Sequence, residues 1–514
     1  MNWSELSHLM PIGVILLAAV IVVFMDLVVQ HKDRYILPWI AFAGCALAVI
    51  STFQTQNNIG HEMVWFARKA AAASSDPNAF NPLILGGSFA IDQFGLLVWL
   101  ISCVAGALSV LSAPKVSEDS ALSSGEYYGL VLLAVAGMML LAVSHDFITL
   151  LISLEIMSIS TYILTGSNRE DLRSNEAGLK YLVLGGFSTA FLLFGIAFYF
   201  GGTGHISLSP GDAFLGLRST QEYADRMLFL IIGMGLIMVG ALFKVGASPF
   251  HFWIPDVYEG APSAITGLMA VGVKAAAFAI VARLCFETFS AMELSNNATA
   301  FTRIGAPLLN VVAILTMIIG NILAMRQSNL KRMLAYSGIA HTGYLLLGFL
   351  VGPLVDPAMY ESNLRSVAFY LLVYGVMTLG AFGVIGLARE DGRQLDEMDN
   401  YNGLAKEHPG LALCMAFFML SLAGLPPFGG FFAKFMIFSG AVREGYVWAA
   451  VIGVLTSVAS LYYYLRVIVA MYMPPSEVSE SAAPRCQYVW GSSVLIYATA
   501  TITLLIGILP NWFV

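Results

Sequence analysis

Long apolar runs follow one another along nearly the whole chain, and short polar stretches separate them. Each run has about 20 residues, which as an α-helix crosses roughly 30 Å of hydrocarbon. The runs are too long and too uniformly apolar for the strands of a membrane β-barrel. The pattern therefore predicts an all-α polytopic membrane protein.

The runs predict fourteen transmembrane helices and little else. The predicted spans are 9–29, 36–54, 89–111, 126–144, 146–165, 177–201, 226–249, 260–285, 303–323, 330–352, 363–387, 410–439, 446–473 and 489–509. Only the stretches 55–88, 202–225 and 388–409 between them are longer than a short loop, so there is no room for a soluble catalytic domain.

Composition narrows the functional classes. Of the 514 residues, 58% are hydrophobic and 11% are charged, whereas soluble proteins carry about 25% charged residues. This excludes a soluble enzyme, a nucleic-acid binder and a disordered protein. No P-loop, dinucleotide fingerprint or HExxH motif is present, and the five cysteines are scattered. We therefore expect no cofactor and no metal in this chain.

Basic residues predict the orientation. With the N-terminus outside, fourteen Lys and Arg residues fall in inner loops and eight fall on the outer side. Inner loops of membrane proteins are enriched in Lys and Arg, so we expect both termini on the outer side. The first run lacks the basic flank of a cleaved signal peptide and is expected to be a permanent span.

Four charged residues lie inside apolar segments: Glu155, Lys244, Lys274 and Lys434. A charge at mid-bilayer costs about 2.5–3.5 kcal/mol on insertion scales, so each needs a reason. One explanation is snorkelling, or a buried ion pair that only fixes helix packing. The other is a proton or ion relay, because a lysine in a low-dielectric site loses its proton more readily and a nearby carboxylate opposes that loss.

Two of the predicted spans are broken. Residues 241–262, ALFKVGASPFHFWIPDVYEGAP, and residues 422–435, LAGLPPFGGFFAKF, both contain prolines and glycines beside a lysine. Proline removes a helical hydrogen bond, and the freed backbone groups inside a membrane need protein or water as partners. One such break fits a mere packing kink, but two breaks with lysines favour hydrated cavities.

The breaks also predict internal symmetry. They fall in the seventh and twelfth spans, and an offset of five spans inverts the orientation, as in transporters with inverted repeats. We expect four segments: 1–125 with helices 1–3 and an outer loop at 55–88, a first five-helix repeat at 126–285, a second, inverted repeat at 303–473, and a C-terminal helix at 489–514.

Two histidines are weaker relay candidates. His251 follows the first break directly, and His341 lies in LKRMLAYSGIAHTGYLLLGF. Either side chain can pass protons near neutral pH, and a purely structural role fits each of them equally well. We expect a surface role for Asp256 and Glu259, and aromatic residues that belong to the core and the interfacial belt.

The motifs PFHFWIPDVYEGAPSAITGLMA, SNLKRMLAYSGIAHTGYLLLG and GLPPFGGFFAKF together resemble the N-type subunits of proton-translocating NADH-quinone oxidoreductase, respiratory complex I. The wider family comprises antiporter-like subunits. PDVYEGAP resembles the N type, and a lysine at 434 differs from the glutamate usual in the M type. The chain also lacks the long C-terminal helix of the L type.

This resemblance implies roles for the buried residues. Glu155 would modulate the proton affinity of Lys244. Lys274 and His341 would relay the proton laterally, and Lys434 would pass it to the outer side or to a neighbouring subunit. The stretch AAAASSDPNAFNP in the 55–88 loop is expected to be a flexible insertion.

The resemblance also implies the setting. The chain would bind neither NADH, FMN, an iron–sulfur cluster nor a quinone, which other subunits handle. It would be an enzyme only as part of the assembly, with membrane-arm subunits, the lipid bilayer and protons as partners and no nucleic acid. A bacterial inner membrane is the simplest location, although a thylakoid relative would look similar. A cation/proton antiporter component is the alternative, and a third hypothesis keeps the redox drive but takes electrons from ferredoxin or a hydrogenase.

Overall fold

A computed structural model gives the fold. It describes residues 3–59, 83–112, 122–209, 223–290, 293–295, 298–350, 357–390, 393–473 and 490–510. The expected insertion AAAASSDPNAFNP lies outside these residues, as does Cys486. The other four cysteines are buried and free.

The described residues form an α-helical bundle. Its helices are α1 Trp3–His8, α2 Met10–Val28, α3 Leu37–Ile59, α4 Gln93–Ser112, α5 Ser124–Val143, α6 Phe147–Thr165, α7 Leu172–Thr203, α8 Tyr223–Val245, α9 Ile254–Gly260, α10 Ser263–Leu268, α11 Lys274–Arg283, α12 Ala306–Met325, α13 Leu330–Leu347, α14 Pro357–Leu387, α15 Leu404–Glu407, α16 Pro409–Ala423, α17 Gly429–Arg443, α18 Val447–Tyr472 and α19 Trp490–Ile508.

Shorter elements connect these helices. Three π-helical segments, Met269–Val273, Leu284–Phe289 and Phe301–Gly305, extend or precede α10, α11 and α12. Antiparallel strand pairs join β1 Leu83–Ile84 to β2 Phe89–Ala90, β3 Glu293–Ser295 to β4 Ala298–Thr299, and β5 Arg389–Glu390 to β6 Arg393–Gln394. Short 3₁₀ turns cover His31–Ile36, Leu85–Gly87 and Met398–Tyr401.

The prediction of an all-α polytopic membrane protein is confirmed. Twelve helical stretches of the described chain are long and apolar enough to cross a membrane. The other two predicted spans coincide with α13 and with the pair α16 and α17. The first of these carries Lys331 and Arg332 in its first turn, and the second is interrupted by a break.

Small residues let the helices approach closely. A Cβ on Gly195 of α7 would lie 2.7 Å from the carbonyl oxygen of Gly233 on α8. A Cβ on Gly137 of α5 would lie 2.5 Å from the backbone nitrogen of Met157 on α6. In a bilayer, helices associate through such close packing, because lipid tails are as apolar as the side chains.

The middle of the bundle is the segment formed by α10, α11 and their two π-helical stretches. All residues from 265 to 290 are buried. The segment packs against α4, α5 and α14, and α8 adjoins α11. Lys274 begins α11 directly after the π-helical stretch Met269–Val273. It therefore lies within this buried central segment.

Candidate functional site

Lys244 occupies the first helix break. It is the penultimate residue of α8, and Gly246 follows with a φ of 74°, a conformation that glycine tolerates best. The Lys244 side chain is 3% exposed. Its Nζ donates hydrogen bonds to Ser158 Oγ at 2.9 Å and to the Tyr162 hydroxyl at 3.2 Å. The ammonium is therefore held by neutral hydroxyl groups of α6.

Glu155 lies on the same helix as these hydroxyl groups, but its carboxylate is hydrogen-bonded to α7. Its Oε1 accepts a 2.7 Å hydrogen bond from Thr189 of α7, and the side chain is partly exposed. Among the described ion pairs there is none between Glu155 and Lys244. Any effect of the carboxylate on the lysine therefore acts through space.

Lys274 reaches across to α13. Its Nζ donates a 2.7 Å hydrogen bond to the carbonyl oxygen of Gly338 and lies 5.1 Å from the centre of the Tyr374 ring. The side chain is 4% exposed. A π-helical stretch directly before the lysine is a feature common at functional sites.

His341 lies beside Lys274 at the centre of a group of tyrosines. Its Nδ1 is 2.7 Å from the Tyr370 hydroxyl and its Nε2 is 3.2 Å from the Tyr464 hydroxyl. The same Tyr464 hydroxyl also shares a 2.5 Å hydrogen bond with Ser337 Oγ. Both ring nitrogens are thus occupied, which holds the imidazole in one orientation.

Lys434 completes this group from the second break. Helix α16 ends at Ala423, Gly424 has a φ of 84°, and α17 begins at Gly429. Nζ donates to the carbonyl oxygens of Leu422 and Ala423 at 2.8 and 3.0 Å, and to Ser457 Oγ at 2.8 Å. A lysine suits these carbonyls, because the end of a helix leaves them without helical partners.

The structure brings three of the predicted residues together. The Tyr344 ring lies 5.2 Å from Lys434 Nζ and 5.6 Å from the His341 ring, and the Tyr374 ring lies between His341 and Lys274. We call Lys274, His341 and Lys434 with their tyrosines the central cluster. No described side-chain hydrogen bond joins Lys244 to it, although Thr342 of α13 donates to the carbonyl oxygen of Val245.

His251 stands apart from both groups. It lies in the turn between α8 and α9, and among the described residues its buried Nδ1 has no hydrogen-bond partner. His251 lies directly after the first helix break, as the sequence predicts. Among the described contacts, however, none joins it to a predicted relay residue.

Sequence reasoning missed the tyrosines. They were assigned to core and belt, yet Tyr162, Tyr344, Tyr370, Tyr374 and Tyr464 surround the buried lysines and His341. The one sequence feature that could have indicated these tyrosines was the run Tyr462–Tyr464 in the apolar helix α18. That run does not distinguish the exposed Tyr462 from Tyr464, which is 1% exposed.

A partly exposed network of ion pairs crosses one end of the bundle. Asp256 of α9 contacts Lys180 of α7 at 2.6 Å and Arg332 of α13 at 2.7 Å, and Arg332 also binds Glu259 at 2.7 Å. Burial alone would raise the pKa of Asp256, but the hydrogen bonds from the two basic groups outweigh it and hold that pKa below its usual range. The two acids, for which a surface role is expected, are partly exposed, and Asp256 also ties α7 to α13.

The neighbouring Lys331 is buried rather than at the surface. It lies 3.2 Å from Asp396 and donates to the carbonyl oxygen of Ala261 at 3.0 Å. Within the described residues, no three His, Cys, Asp or Glu side chains are placed to hold a metal ion.

Buried lysines at helix breaks are typical of membrane proteins that move ions or protons. Residues 144–460 match the family described as NADH:quinone oxidoreductase/Mrp antiporter, TM. NADH-quinone oxidoreductase subunit N of Trichlorobacter lovleyi is 45% identical over 390 residues, which cover 76% of each chain. Subunit N 2 of Rhizobium meliloti is 36% identical over 100% of this chain and 96% of the relative.

Solved structures agree with these relatives. A chain of respiratory complex I from Thermus thermophilus with bound aureothin is 29% identical, has a TM-score of 0.74, and the match covers 98% of this chain and 97% of that one. A chain of the Mrp complex from Dietzia sp. is similar in fold, with a TM-score of 0.76 at 20% identity over 100% of this chain and 96% of that one. This chain belongs to the family of NADH-quinone oxidoreductase subunit N.

Proposed function

We propose that this chain is a proton-translocating membrane subunit of NADH-quinone oxidoreductase. The observation that carries the proposal is the central cluster, in which two buried lysines flank a histidine whose two ring nitrogens both face tyrosine hydroxyls. Hydroxyl and imidazole groups within hydrogen-bond distance can exchange protons in both directions. Because these groups are buried, a proton on one of them strongly affects the next.

Each residue has a role in this proposal. Lys244 takes up a proton at the first break, and Glu155 tunes its affinity through space. Lys274 and His341 carry the proton across α13, and Lys434 delivers it at the second break. His251 is a weaker candidate, next to the uptake site.

The proposal includes the two inverted repeats, 126–285 and 303–473. Lys244 and Lys434 support it, since each lies at a break, donates to a serine hydroxyl and faces a tyrosine ring. Two such sites related by inversion give a path that opens to opposite sides of the membrane.

The electron chemistry belongs to other subunits in this proposal. The assembly oxidises NADH and reduces a quinone through FMN and iron–sulfur clusters held elsewhere, so it is classed as a translocase. This chain supplies no redox centre and receives its energy through its neighbours in the membrane arm. The assembly lies in a bacterial inner membrane, with both termini of this chain on the outer side.

The test uses the whole complex in sealed membrane vesicles. Lys244→Ala and Glu155→Ala should depress NADH-driven proton pumping and coupled quinone reduction, while the complex still assembles. Glu176→Ala on α7 is the matched control, because that carboxylate is exposed and far less enclosed. Normal pumping by the Lys244 variant would refute the proposal. Purification of the chain without flavin and iron–sulfur subunits would favour the antiporter alternative.

A further inference from the structure

A second buried group of charges lies outside the central cluster. It consists of Asp92, His145, Arg283 and Glu287, which are 0%, 4%, 1% and 1% exposed. Arg283 ends α11, the helix that Lys274 begins, and Glu287 lies in the π-helical stretch that follows. We call these four residues the end cluster.

Arg283 holds the end cluster together. Its Nη2 lies 2.8 Å from Asp92 Oδ2, and its Nη1 lies 2.9 Å from Glu287 Oε1. Nε and Nη2 also donate to the carbonyl oxygen of Ala142, at 3.0 and 2.8 Å. The guanidinium therefore joins the start of α4, the end of α5 and the end of α11.

His145 contacts the cluster through one carboxylate oxygen. Its Nδ1 lies 3.0 Å from Glu287 Oε2, and neither atom has another hydrogen-bond partner among the described residues. The backbone of His145 is fixed on both sides, since its N–H donates to Ser88 and its carbonyl oxygen accepts from Leu208. The imidazole is thus placed against Glu287 by the chain on either side of it.

The charges of the end cluster do not balance without a proton. One guanidinium faces two carboxylates, and a net charge buried in low dielectric is strongly disfavoured. The nearby Asp146 has its own compensation, because its Oδ1 accepts from the backbone N–H groups of Ile148 and Thr149 at the start of α6. Tyr199 of α7, which packs on Phe147, donates its hydroxyl to the carbonyl oxygen of Ser207. A proton on His145 would make the charges equal.

Asp92 is the second acid of the cluster and is fully buried. Its Oδ2 lies 2.8 Å from Arg283 Nη2, and its Oδ1 accepts a 2.7 Å hydrogen bond from the backbone N–H of Gly95. Arg283 therefore faces two buried carboxylates at once.

The end cluster lies at the end of the bundle where the chain begins. The backbone N–H of Leu85, seven residues before Asp92, donates to the carboxylate of Glu5, and His145 follows the bridge between Phe89 and Ser144. The bias of basic residues makes this the outer side.

We propose that Asp92, His145, Arg283 and Glu287 form a proton-binding site that takes one proton from the outer phase and thereby regulates the pump through α11, the helix that Lys274 begins. Arg283 lies nine positions after Lys274, at the other end of α11, so the end cluster and Lys274 share one helix. This inference rests on the proposed function, since it describes how the outer pH acts on the pump.

The test compares variants of the intact complex in inside-out vesicles, whose lumen is the outer phase. Lumenal pH is varied at constant external pH, with the membrane potential collapsed. Back-pressure from the pH gradient acts on all variants alike, so a difference between them reports the site. We expect Glu287→Gln, which balances the charges without a proton, to lose part of the response of turnover to lumenal pH. His205→Asn is the control, because His205 is an exposed histidine near the same end.

A second experiment tests the charge balance of the end cluster through assembly of the complex, so the proposal can be tested even if one variant assembles poorly. His145→Asn removes the proton acceptor and leaves an unbalanced buried charge, so less complex should assemble. Adding Glu287→Gln should restore assembly, and the double variant should have the flattened pH response. Normal assembly of His145→Asn, no rescue by the second substitution, or an unchanged pH response would each overturn the proposal. Failure of the parent vesicles to acidify their lumen would instead refute the proposed function.

Discussion

Lys244 and Lys434, at two different helix breaks, each donate to a serine hydroxyl and face a tyrosine ring. Lys244 donates to Ser158 at 2.9 Å and lies 5.5 Å from the centre of the Tyr162 ring. Lys434 donates to Ser457 at 2.8 Å and lies 5.2 Å from the centre of the Tyr344 ring. Neither has a carboxylate partner among the described ion pairs. Hydroxyl and carbonyl oxygens therefore hold both ammonium groups.

The first prediction concerns Lys434 at the second helix break. Lys434→Ala should lower coupled quinone reduction by at least about tenfold, because proton transfer by a positioned group is worth that much or more. Lys406→Ala is the matched control, since Lys406 lies on the exposed face of α15. Both variants are measured as NADH oxidation and lumenal acidification in the same vesicles. Equal rates in the two variants would contradict a role for Lys434.

The second prediction concerns the tyrosines of α18. Tyr464→Phe removes the hydroxyl shared by His341 and Ser337, so proton pumping should fall severalfold while the packing is kept. Tyr462→Phe should have no effect, because Tyr462 is 58% exposed on the same helix. The measurement that distinguishes the two variants is the number of protons pumped per NADH oxidised. A Tyr464 variant that pumps like the parent would remove this hydroxyl from the relay.

The third prediction uses Glu444, in the turn between α17 and α18. Burial raises the pKa of its carboxyl to about 8, against an ordinary value near 4.3. Between these values the folded protein binds more protons than the unfolded chain, so stability falls as pH rises and levels off above pH 8. Glu444→Gln removes this pH-dependent loss of stability and keeps an acceptor for Asn363. It should stabilise the protein by on the order of 2 kcal/mol at pH 8.

The measurement for Glu444 is a thermal unfolding series between pH 5 and pH 8. The gain of the variant over the parent should be small at pH 5 and should grow with pH. Glu407→Gln is the control, because Glu407 is an exposed acid at the end of α15. A gain that is constant with pH would show that the carboxyl is not the cause.

The fourth prediction concerns the buried pair of Lys331 and Asp396. Asp396→Asn leaves the lysine unpaired, and such a loss typically costs about 3–5 kcal/mol. The double variant Lys331→Met with Asp396→Leu should recover most of that cost, because it buries no charge. The melting temperatures of both variants and of each single variant form a complete cycle. Additive losses would mean that the two side chains do not depend on each other.

The fifth prediction concerns Gly430 in the first turn of α17. A Cβ there would lie 1.8 Å from the carbonyl oxygen of Ser421, so Gly430→Ala must push α16 and α17 apart at the break. We expect a loss of at least about 2 kcal/mol, together with reduced pumping. Gly186→Ala on α7 is the control, since nothing lies within 4 Å of its Cβ position. Wild-type pumping by the Gly430 variant would show that the break tolerates displacement.

The sequence by itself determined the class of fold and the residues that need explaining. Hydrophobic length decides that a helix crosses a bilayer, and that property is local to each segment. A charge inside such a segment is conspicuous because it is costly, which is why Lys244, Lys274, Lys434 and Glu155 could be named at once. Prolines and glycines marked both breaks for the same local reason.

Only the tertiary structure decided how these residues meet. It separates Glu155 from direct contact with Lys244 and gathers Lys274, His341 and Lys434 around shared tyrosines. It also assembles the end cluster from the residue before α4, the segment between α5 and α6, the end of α11 and the π-helical stretch that follows it. A tyrosine in an apolar helix has the same local pattern whether it faces lipid or a buried lysine, since only the packing of distant helices chooses the neighbour of its hydroxyl group.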